Sequence, residues 1–305
     1  MTHTAPRYLR RKELDTGKWN SCLDQASNGL IYAYTYYLDE MAENWDALVW
    51  DDYEAIMPLP WKMKWGLKYL YWVPFVQQLG IFSRSLPTAS LLQSGIQHAL
   101  QHFRYGDLFL NFANTGLANT IEKTNLVLSL KSNYDSLAGN YRSDLLKNLH
   151  KAAKGTMNYT TAIDLPTAAG YYQQTYQQQI GVLHTDQYQQ FVRLCEVAQQ
   201  HGELLLRGVN NNENQWLATA LLLKKHGRMY LLQSTTLPAG RKISANHYLL
   251  DQLIREFAGT ETVLDFEGSD IAGIAHFYRN FGAVDQPYYL YHFNALPWYL
   301  KWIKK

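Results

Sequence analysis

The stretch from residue 216 to residue 269 carries the pattern that most constrains the fold of this chain. Two nearly unbroken apolar runs flank the short turn His226-Gly227-Arg228, an arrangement typical of an antiparallel β-hairpin. A polar loop follows, and apolar residues then recur at helical spacing. The predicted elements are strands at 216–223 and 229–234, a loop at 235–244, a helix carrying Leu249, Leu250, Leu253, Ile254 and Phe257, and a strand at 263–266. The stretch therefore predicts an α/β unit in the order strand, strand, helix, strand.

Polar side chains stand where these predicted elements end. The loop carries two cations, Arg241 and Lys242, just before a helix N-terminus, which is a favourable place for a phosphate or a carboxylate. If the strands pair, their polar ends converge near this loop; alternatively, these residues serve only as ordinary turn and cap residues. The residues concerned are Gln233, Ser234, Asn246, Asp265, Glu267 and Ser269.

Composition excludes several classes of protein. A length of 305 residues is enough for two domains, and 47% hydrophobic against 18% charged residues supports packed cores. A net charge of +2 argues against bulk nucleic acid as a partner. The only cysteines, Cys22 and Cys195, have no CxxC or metal-like spacing, so we expect buried thiols, a reducing compartment and no metal site.

The chain offers no sign of a membrane span. Residues 1–12 lack an apolar signal-peptide core, and no apolar run approaches the length of about 20 residues that a spanning helix needs. We therefore predict a cytoplasmic protein without a transmembrane segment. Residues 296–305 form a basic-aromatic tail that either packs back onto the protein or makes peripheral contact with an anionic membrane surface.

Residues 61–72 interleave lysines with aromatic rings. Three interpretations remain open: an exposed strand pair with solvated lysines, the lining of an anionic-ligand site, or a membrane-contacting surface. Gln77 and Gln78 follow within an apolar run. A buried glutamine needs partners, so a ligand-binding role for at least one of them is a reasonable hypothesis.

The first part of the chain repeats the order hairpin, helix, strand without a repeat of residues. We therefore predict two tandem α/β (α+β) domains at 1–135 and 136–305, each with a mixed, mostly antiparallel sheet flanked by helices. Near the start of the second predicted domain, residues 142–154 predict a helix with one basic face. That face is either solvated or recognises a phosphate, and it carries Lys147, His150, Lys151 and Lys154.

Several of these motifs resemble the GNAT superfamily of acyltransferases, and in particular the Fem-type aminoacyltransferases. The loop 237–245 is similar to the GNAT donor-binding loop at Gly240 and Ala245. The motifs similar to Fem-type proteins are Arg142, Asn148, Lys151 and Ala152, then Asp265-Phe266-Glu267-Gly268-Ser269, then Phe277-Tyr278-Arg279-Asn280-Phe281-Gly282. The resemblance implies two GNAT-like domains with a cleft between them.

The implied activity is N-acyl transfer from an activated donor to a small-molecule or peptide amine. The donor is an acyl-CoA or another acyl donor such as aminoacyl-tRNA, used as a co-substrate, with no permanently bound cofactor. Such transfer needs an amine base, a polarised carbonyl and alignment of the two reactants. Glu267 is the first candidate base and Asp265 the second. We expect donor or acceptor binding by Gln233, Ser234, Gly240, Arg241, Lys242, Asn246, Gln77, Gln78, Tyr278 and Arg279.

An alternative of a different class stays open. The chain can instead be a non-catalytic ligand-binding or scaffold protein that retains the double-GNAT fold. Binding and stabilisation by a thioester donor distinguish an enzyme from such a shell.

Overall fold

A computed structural model describes residues 4–176, 185–268 and 270–297. Ser269 and most of the basic-aromatic tail, at 298–305, lie outside the described residues. The helices are α1 Thr16–Gln25, α2 Thr35–Met41, α3 Ala89–His102, α4 Tyr134–Ala138, α5 Ser143–Ala152, α6 Leu165–Tyr176, α7 Thr185–Gln200, α8 Pro238–Lys242, α9 Ala245–Phe257 and α10 Ala272–Arg279. The strands are β1 Arg7–Arg10, β2 Trp45–Trp50, β3 Ala55–Lys64, β4 Leu67–Leu70, β5 Phe82–Ser83, β6 Tyr105–Leu110, β7 Thr120–Lys123, β8 Leu126–Ser129, β9 Asn158–Thr160, β10 Leu204–Asn210, β11 Trp216–Lys225, β12 Arg228–Thr236, β13 Val263–Asp265, β14 Val284–Asp285 and β15 Tyr288–Asn294.

The chain folds into two compact units. The first comprises Met1–Lys123 with Pro287–Lys305, and the second comprises Thr124–Gln286. This division differs from the predicted domains 1–135 and 136–305 at both ends. The reason is long-range strand pairing, because β15 joins β6 and β7 in the first unit, whereas β8 joins β13 and β14 in the second.

The first unit is built on a sheet in the order β1-β2-β3-β4-β6-β15-β7, with β5 on β3. Its register pairs are antiparallel except between β4 and β6. The helix α3 is capped by Thr88, whose side chain accepts a hydrogen bond from the Leu91 amide, and it buries Leu92 and Ile96 against the sheet. The absence of a Cβ at Gly95 allows α3 to approach Trp50 closely.

The second unit is built on a sheet in the order β14-β8-β13-β12-β11-β10-β9. Among its described strands, only β12 and β13 pair in parallel. Each sheet is thus mixed and mostly antiparallel and has helices packed against it, which confirms the predicted fold class. The hairpin predicted around residues 226–228 is confirmed as β11 and β12.

The helix α9 forms the centre of the core of the second unit. Its apolar stripe packs on β11 and β12 and contacts α5, and Leu249, Leu253 and Ile254 are fully buried there. Asp251 on the same helix is buried but accepts hydrogen bonds from the hydroxyls of Tyr134 and Tyr141, at 2.7 and 3.1 Å. These bonds give the buried carboxylate its hydrogen-bond partners, and they fix the rotation of α9 about its own axis.

A partly buried ion pair fixes the C-terminal end of α9. The Nε and Nη2 of Arg207 on β10 donate to the two carboxylate oxygens of Glu256, at 2.8 and 2.5 Å, and the Tyr159 hydroxyl of β9 donates to the same carboxylate. Since β9, β10 and α9 share this contact, the outer strands of the sheet and the helix are positioned together.

Replacing Leu253 by Ala tests the importance of this core. The side chain is fully buried, so the cavity is expected to lower the free energy of unfolding by about 2–5 kcal/mol. Denaturant unfolding followed by circular dichroism measures the change. Leu146→Ala on α5, where the leucine is 43% exposed, is the matched control and should cost far less. Equal losses in both variants would contradict the central position of α9.

Candidate functional site

The strands β12 and β13 separate in the middle of the second sheet. Their parallel register covers Arg228, Met229 and Tyr230 of β12 against Val263–Asp265. β12 then continues to Thr236 while β13 ends, so the latter half of β12 has no register partner on that side among the described residues. Separated strands expose backbone N–H and C=O groups, which a ligand can satisfy in place of a neighbouring strand.

A register shift sits at the same place on β12. Leu221 pairs with Gln233 but Leu222 pairs with Leu231, so Leu232 is an extra residue. Bulges of this kind redirect side chains and are frequent beside functional sites. Gln233 and the residues after it therefore point in directions that an uninterrupted strand would not give.

Two buried polar side chains on one face of β12 lack hydrogen-bond partners among the described residues. Gln233 is 3% exposed and Thr235 is 1% exposed, and they share a face because they are two residues apart. Neither the side-chain amide of Gln233 nor the Thr235 hydroxyl forms a hydrogen bond of normal geometry with a described residue. A buried polar group without a partner costs about 1–3 kcal/mol, so a ligand that supplies partners would recover that energy.

Helices α6 and α7 supply the neighbouring side chains on this face. The Tyr188 hydroxyl of α7 donates to the Ala169 carbonyl of α6 at 2.8 Å, and the ring stacks with Tyr172 at 6.1 Å. Burial raises the pKa of Tyr188, against a smaller lowering by the nearby Gln233 side chain. Tyr188 therefore stays a neutral hydroxyl beside the Gln233 amide.

The opposite face of β12 meets the start of α9. The Ser234 hydroxyl lies 2.8 Å from Asn246 Oδ1 and donates to it. Two residues earlier, Ser244 has a left-handed backbone, with φ of 59°, and bonds Asn148 of α5 at 2.8 Å. Ser234 and Asn246 are therefore close together, as predicted, and they are in direct contact.

The loop after β12 folds differently from a loop that presents free amides. Residues 238–242 form α8, in which the Arg241 amide donates to the Leu237 carbonyl at 3.0 Å. A Cβ added at Gly240 would overlap the Leu217 carbonyl oxygen, so this glycine permits close packing against β11. The Arg241 Nε donates to the Thr236 carbonyl at 3.2 Å, whereas Lys242 is exposed. The exposed Lys242 forms no hydrogen bond or ion pair with its side chain among the described residues.

The two candidate carboxylates have contrasting environments. Asp265 is fully buried: its Oδ1 accepts the Glu267 amide at 2.9 Å, and its Oδ2 lies 3.4 Å from Arg228 Nε. Burial raises the pKa of Asp265, and Arg228 opposes that rise. Since a base must reach its substrate, Asp265 is better suited to positioning Glu267 than to accepting a proton itself.

Glu267 stands just beyond the end of β13, half-buried, with a left-handed φ of 51°. Such a backbone is unfavourable for a residue with a Cβ, and strained residues concentrate at functional sites. The next residue must be glycine, because a Cβ at Gly268 would overlap the backbone of Asn125. The close passage of this loop against Asn125, together with the hydrogen bond to Asp265, holds Glu267 in place.

The remaining predicted residues do not all join this group. The Tyr278 ring stacks on Phe266 at 4.5 Å, directly before Glu267, whereas Arg279 forms an ion pair with Asp285 at 2.6 Å. Gln77 and Gln78 belong to the first unit. Gln78 is fully buried and bonded on both sides, as its Oε1 accepts the Phe112 amide at 3.0 Å and its Nε2 donates to Gln77 at 2.7 Å. These contacts give Gln78 a structural role.

The sequence pattern did not single out two further residues of this site, Thr235 and His247. Thr235 was accessible to sequence reasoning, because it follows Gln233 at the two-residue repeat of one strand face. His247 lies in the first turn of α9, with its Nδ1 buried and without a partner among the described residues, and its ring meets Phe277 edge-on at 5.0 Å. Burial lowers the pKa of His247, and Lys151 lowers it further, so the imidazole is neutral at pH 7.

The basic face of α5 is solvated. Lys147, His150, Lys151 and Lys154 are all exposed, and Lys147 lies 3.5 Å from Asp144 on its own helix. Among the described residues, no helix has the length and apolar character needed to cross a bilayer, and no group of three or more His, Cys, Asp or Glu is placed to hold a metal.

Comparison with known proteins agrees with this architecture. Residues 139–273 match a family model described as an acetyltransferase (GNAT) domain. No curated protein matches the chain. Among solved structures, FemX is similar with a TM-score of 0.65 at 13% identity, covering 94% of this chain and 98% of FemX.

Two further structures show the same fold over nearly the whole chain. L-PGS from Bacillus licheniformis has a TM-score of 0.57 at 11% identity, covering 95% of both chains. A tandem GNAT protein from the clavulanic acid biosynthesis pathway has a TM-score of 0.53 at 10% identity, covering 96% of this chain and 99% of that protein. Residues 139–273 thus match a GNAT domain model, and the chain is similar in fold to FemX and to a tandem GNAT protein.

Proposed function

We propose that the protein is an N-acyltransferase that moves an acyl or aminoacyl group from an activated donor to an amine at the site in the second unit. The observation that carries this proposal is the separation of β12 from β13 beside Gln233 and Thr235, two buried side chains without a hydrogen-bond partner among the described residues. A donor lying along the free edge of β12 would pair with the exposed backbone and with these side chains.

The residues at this site support a direct transfer. The amine nitrogen attacks the acyl carbonyl carbon, so that a C–N bond forms as the bond to the leaving group breaks. Glu267 takes the proton that the amine loses, and a backbone N–H of β12 stabilises the developing oxyanion. Asp265 holds the Glu267 amide, and the neutral His247 is a second group able to accept a proton.

The proposed donor is an acyl-CoA or another activated acyl donor, and aminoacyl-tRNA is the other class to be tested. The match of residues 139–273 to an acetyltransferase domain supports a thioester. Residues 238–242 fold into α8, and the amides of Arg241 and of Ile243, which follows the helix, already donate hydrogen bonds. This observation favours a donor without a diphosphate, or the non-catalytic alternative. The proposed acceptor is a small-molecule or peptide amine.

A donor screen tests the proposal directly. Acetyl-CoA, longer acyl-CoAs and aminoacyl-tRNA are each added to the protein, and the unfolding temperature is measured. A donor present at 100 times its Kd stabilises the folded state by about 2.7 kcal/mol. The stabilising donor is then incubated with a panel of amines, and mass spectrometry detects the N-acyl product. Stabilisation without product supports a binding protein, and the absence of both contradicts the proposal.

Replacing Glu267 by Gln removes the proposed base while keeping the side-chain shape. The transfer rate should fall by about 10²–10⁴-fold, because proton removal from the amine is lost. Glu261→Gln is the matched control: its carboxylate is exposed in the loop before β13, where it pairs with Lys131, and the rate should not change. An unchanged rate in the Glu267 variant would remove this residue from the mechanism.

Replacing Gln233 by Met separates a ligand-binding role from a structural one. Because the amide has no hydrogen-bond partner among the described residues, the variant should gain about 1 kcal/mol in unfolding free energy while losing donor affinity. Gln78→Met is the control. It removes the acceptor of the Phe112 amide hydrogen bond and should lose about 1–3 kcal/mol. Denaturant titration measures both, and equal destabilisation in the two variants would contradict a ligand-binding role for Gln233.

A further inference from the structure

The hairpin of β3 and β4 in the first unit ends in an apolar turn that is open to solvent. Met63, Trp65 and Leu67 are 55%, 71% and 42% exposed, and we call these three residues the hairpin tip. The two turn residues, Trp65 and Gly66, have φ of 51° and 75°. A two-residue turn of this kind favours Asn or Gly at both positions. The chain instead holds a tryptophan there, in a backbone conformation that residues with a Cβ rarely adopt.

The apolar side chains of the hairpin tip diverge. Met63 pairs with Lys68 across the hairpin and Lys64 pairs with Leu67, and neighbouring pairs point to opposite faces. Met63 and Leu67 therefore stand on opposite faces, with Trp65 at the end. A folded protein surface would cover one face of such a hairpin. A fluid apolar medium can surround all three side chains at once.

Lysines stand directly behind the hairpin tip. The ammonium groups of Lys62, Lys64 and Lys68 lie 4.7, 4.7 and 3.8 Å from the ring centroids of Tyr71, Trp65 and Trp61, respectively. Long lysine side chains of this kind cover apolar surface while their charges stay in a polar layer.

The local charge is only partly compensated. Lys62 lies 3.4 Å from Glu43 and Lys68 lies 3.4 Å from Asp46, whereas Lys64, nearest the turn, has no carboxylate pair among the described residues. Protein–protein interfaces are generally depleted of lysine. Lysine beside exposed tryptophan and leucine is typical of segments that lie at the surface of an anionic membrane.

We propose that the hairpin of β3 and β4 docks on an anionic lipid bilayer. The hairpin tip enters the boundary between head groups and acyl chains, and Lys62, Lys64 and Lys68 meet the lipid phosphates. This surface is separate from the site in the second unit and does not depend on the proposed transfer activity. It also does not depend on the tail at 298–305.

Vesicle co-sedimentation of the full chain tests this proposal. One set of vesicles contains equal parts of phosphatidylcholine and phosphatidylglycerol, and the other contains phosphatidylcholine alone. The protein should bind the anionic set more tightly. The double variant Trp65→Ser with Leu67→Ser should bind it about tenfold or more weakly, since two apolar anchors are lost. Changing Lys62, Lys64 and Lys68 to Gln should abolish the preference for anionic vesicles.

Two controls make the result specific. Leu86→Ser with Ile121→Ser removes apolar side chains of the first unit that are 64% and 55% exposed but lie off the hairpin, and should leave binding unchanged. Trp298→Ser with Trp302→Ser tests the tail. The proposal is overturned if the hairpin variants bind like the wild type, if only the tail variant loses binding, or if neither vesicle binds. Concentration-dependent self-association that Trp65→Ser abolishes, without vesicle binding, would identify the hairpin as a protein contact and would also overturn it.

Discussion

The second unit depends on one short parallel contact, in which β12 and β13 pair over three residues and then separate. The contact is fixed at its base, where the buried Asp265 lies beside Arg228 of the neighbouring strand, and Asp265 also holds the turn that carries Glu267. A longer pairing would satisfy the backbone of β12 but would leave no place for a ligand. The pairing is therefore long enough to join the two strands and short enough to leave an edge of β12 open.

Buried polar side chains with a structural role can be told from candidate ligand-binding ones by whether their polar atoms have hydrogen-bond partners. Asp251 and Gln78 are as deeply buried as Gln233, yet each has partners that account for its polar atoms. Gln233 and Thr235, on one face of β12, lack such partners among the described residues. Since an unpaired buried group lowers stability, its presence beside an open strand edge is most simply explained by a ligand that completes it.

The local pattern of the chain predicted much of the second unit. The hairpin, the helix that begins near Asn246 and the strand ending at Asp265 follow from apolar periodicity and turn residues, which act over a few positions. The contact of Ser234 with Asn246 was also within reach, because both lie beside one short loop. The pattern did not predict the course of β15, which pairs with strands almost 200 residues earlier along the chain. Such a pairing depends on the burial of both sheet faces and leaves no local signal.

Residues that look alike in the sequence have different roles in the structure, because their roles depend on contacts with distant parts of the chain. Gln77-Gln78 and Gln233 are alike as sequence, but only the fold places Phe112 against one of them and leaves the other beside a separated strand. Gly240 fits a donor loop by spacing, yet the approach of Leu217 shows that it serves packing. By itself, the sequence determined most of the elements, their order and the polar residues at their ends, because periodicity, turns and caps act within about ten residues. Which of those residues are buried, paired or left open was decided only by tertiary structure, since burial and hydrogen-bond partners come from distant parts of the chain.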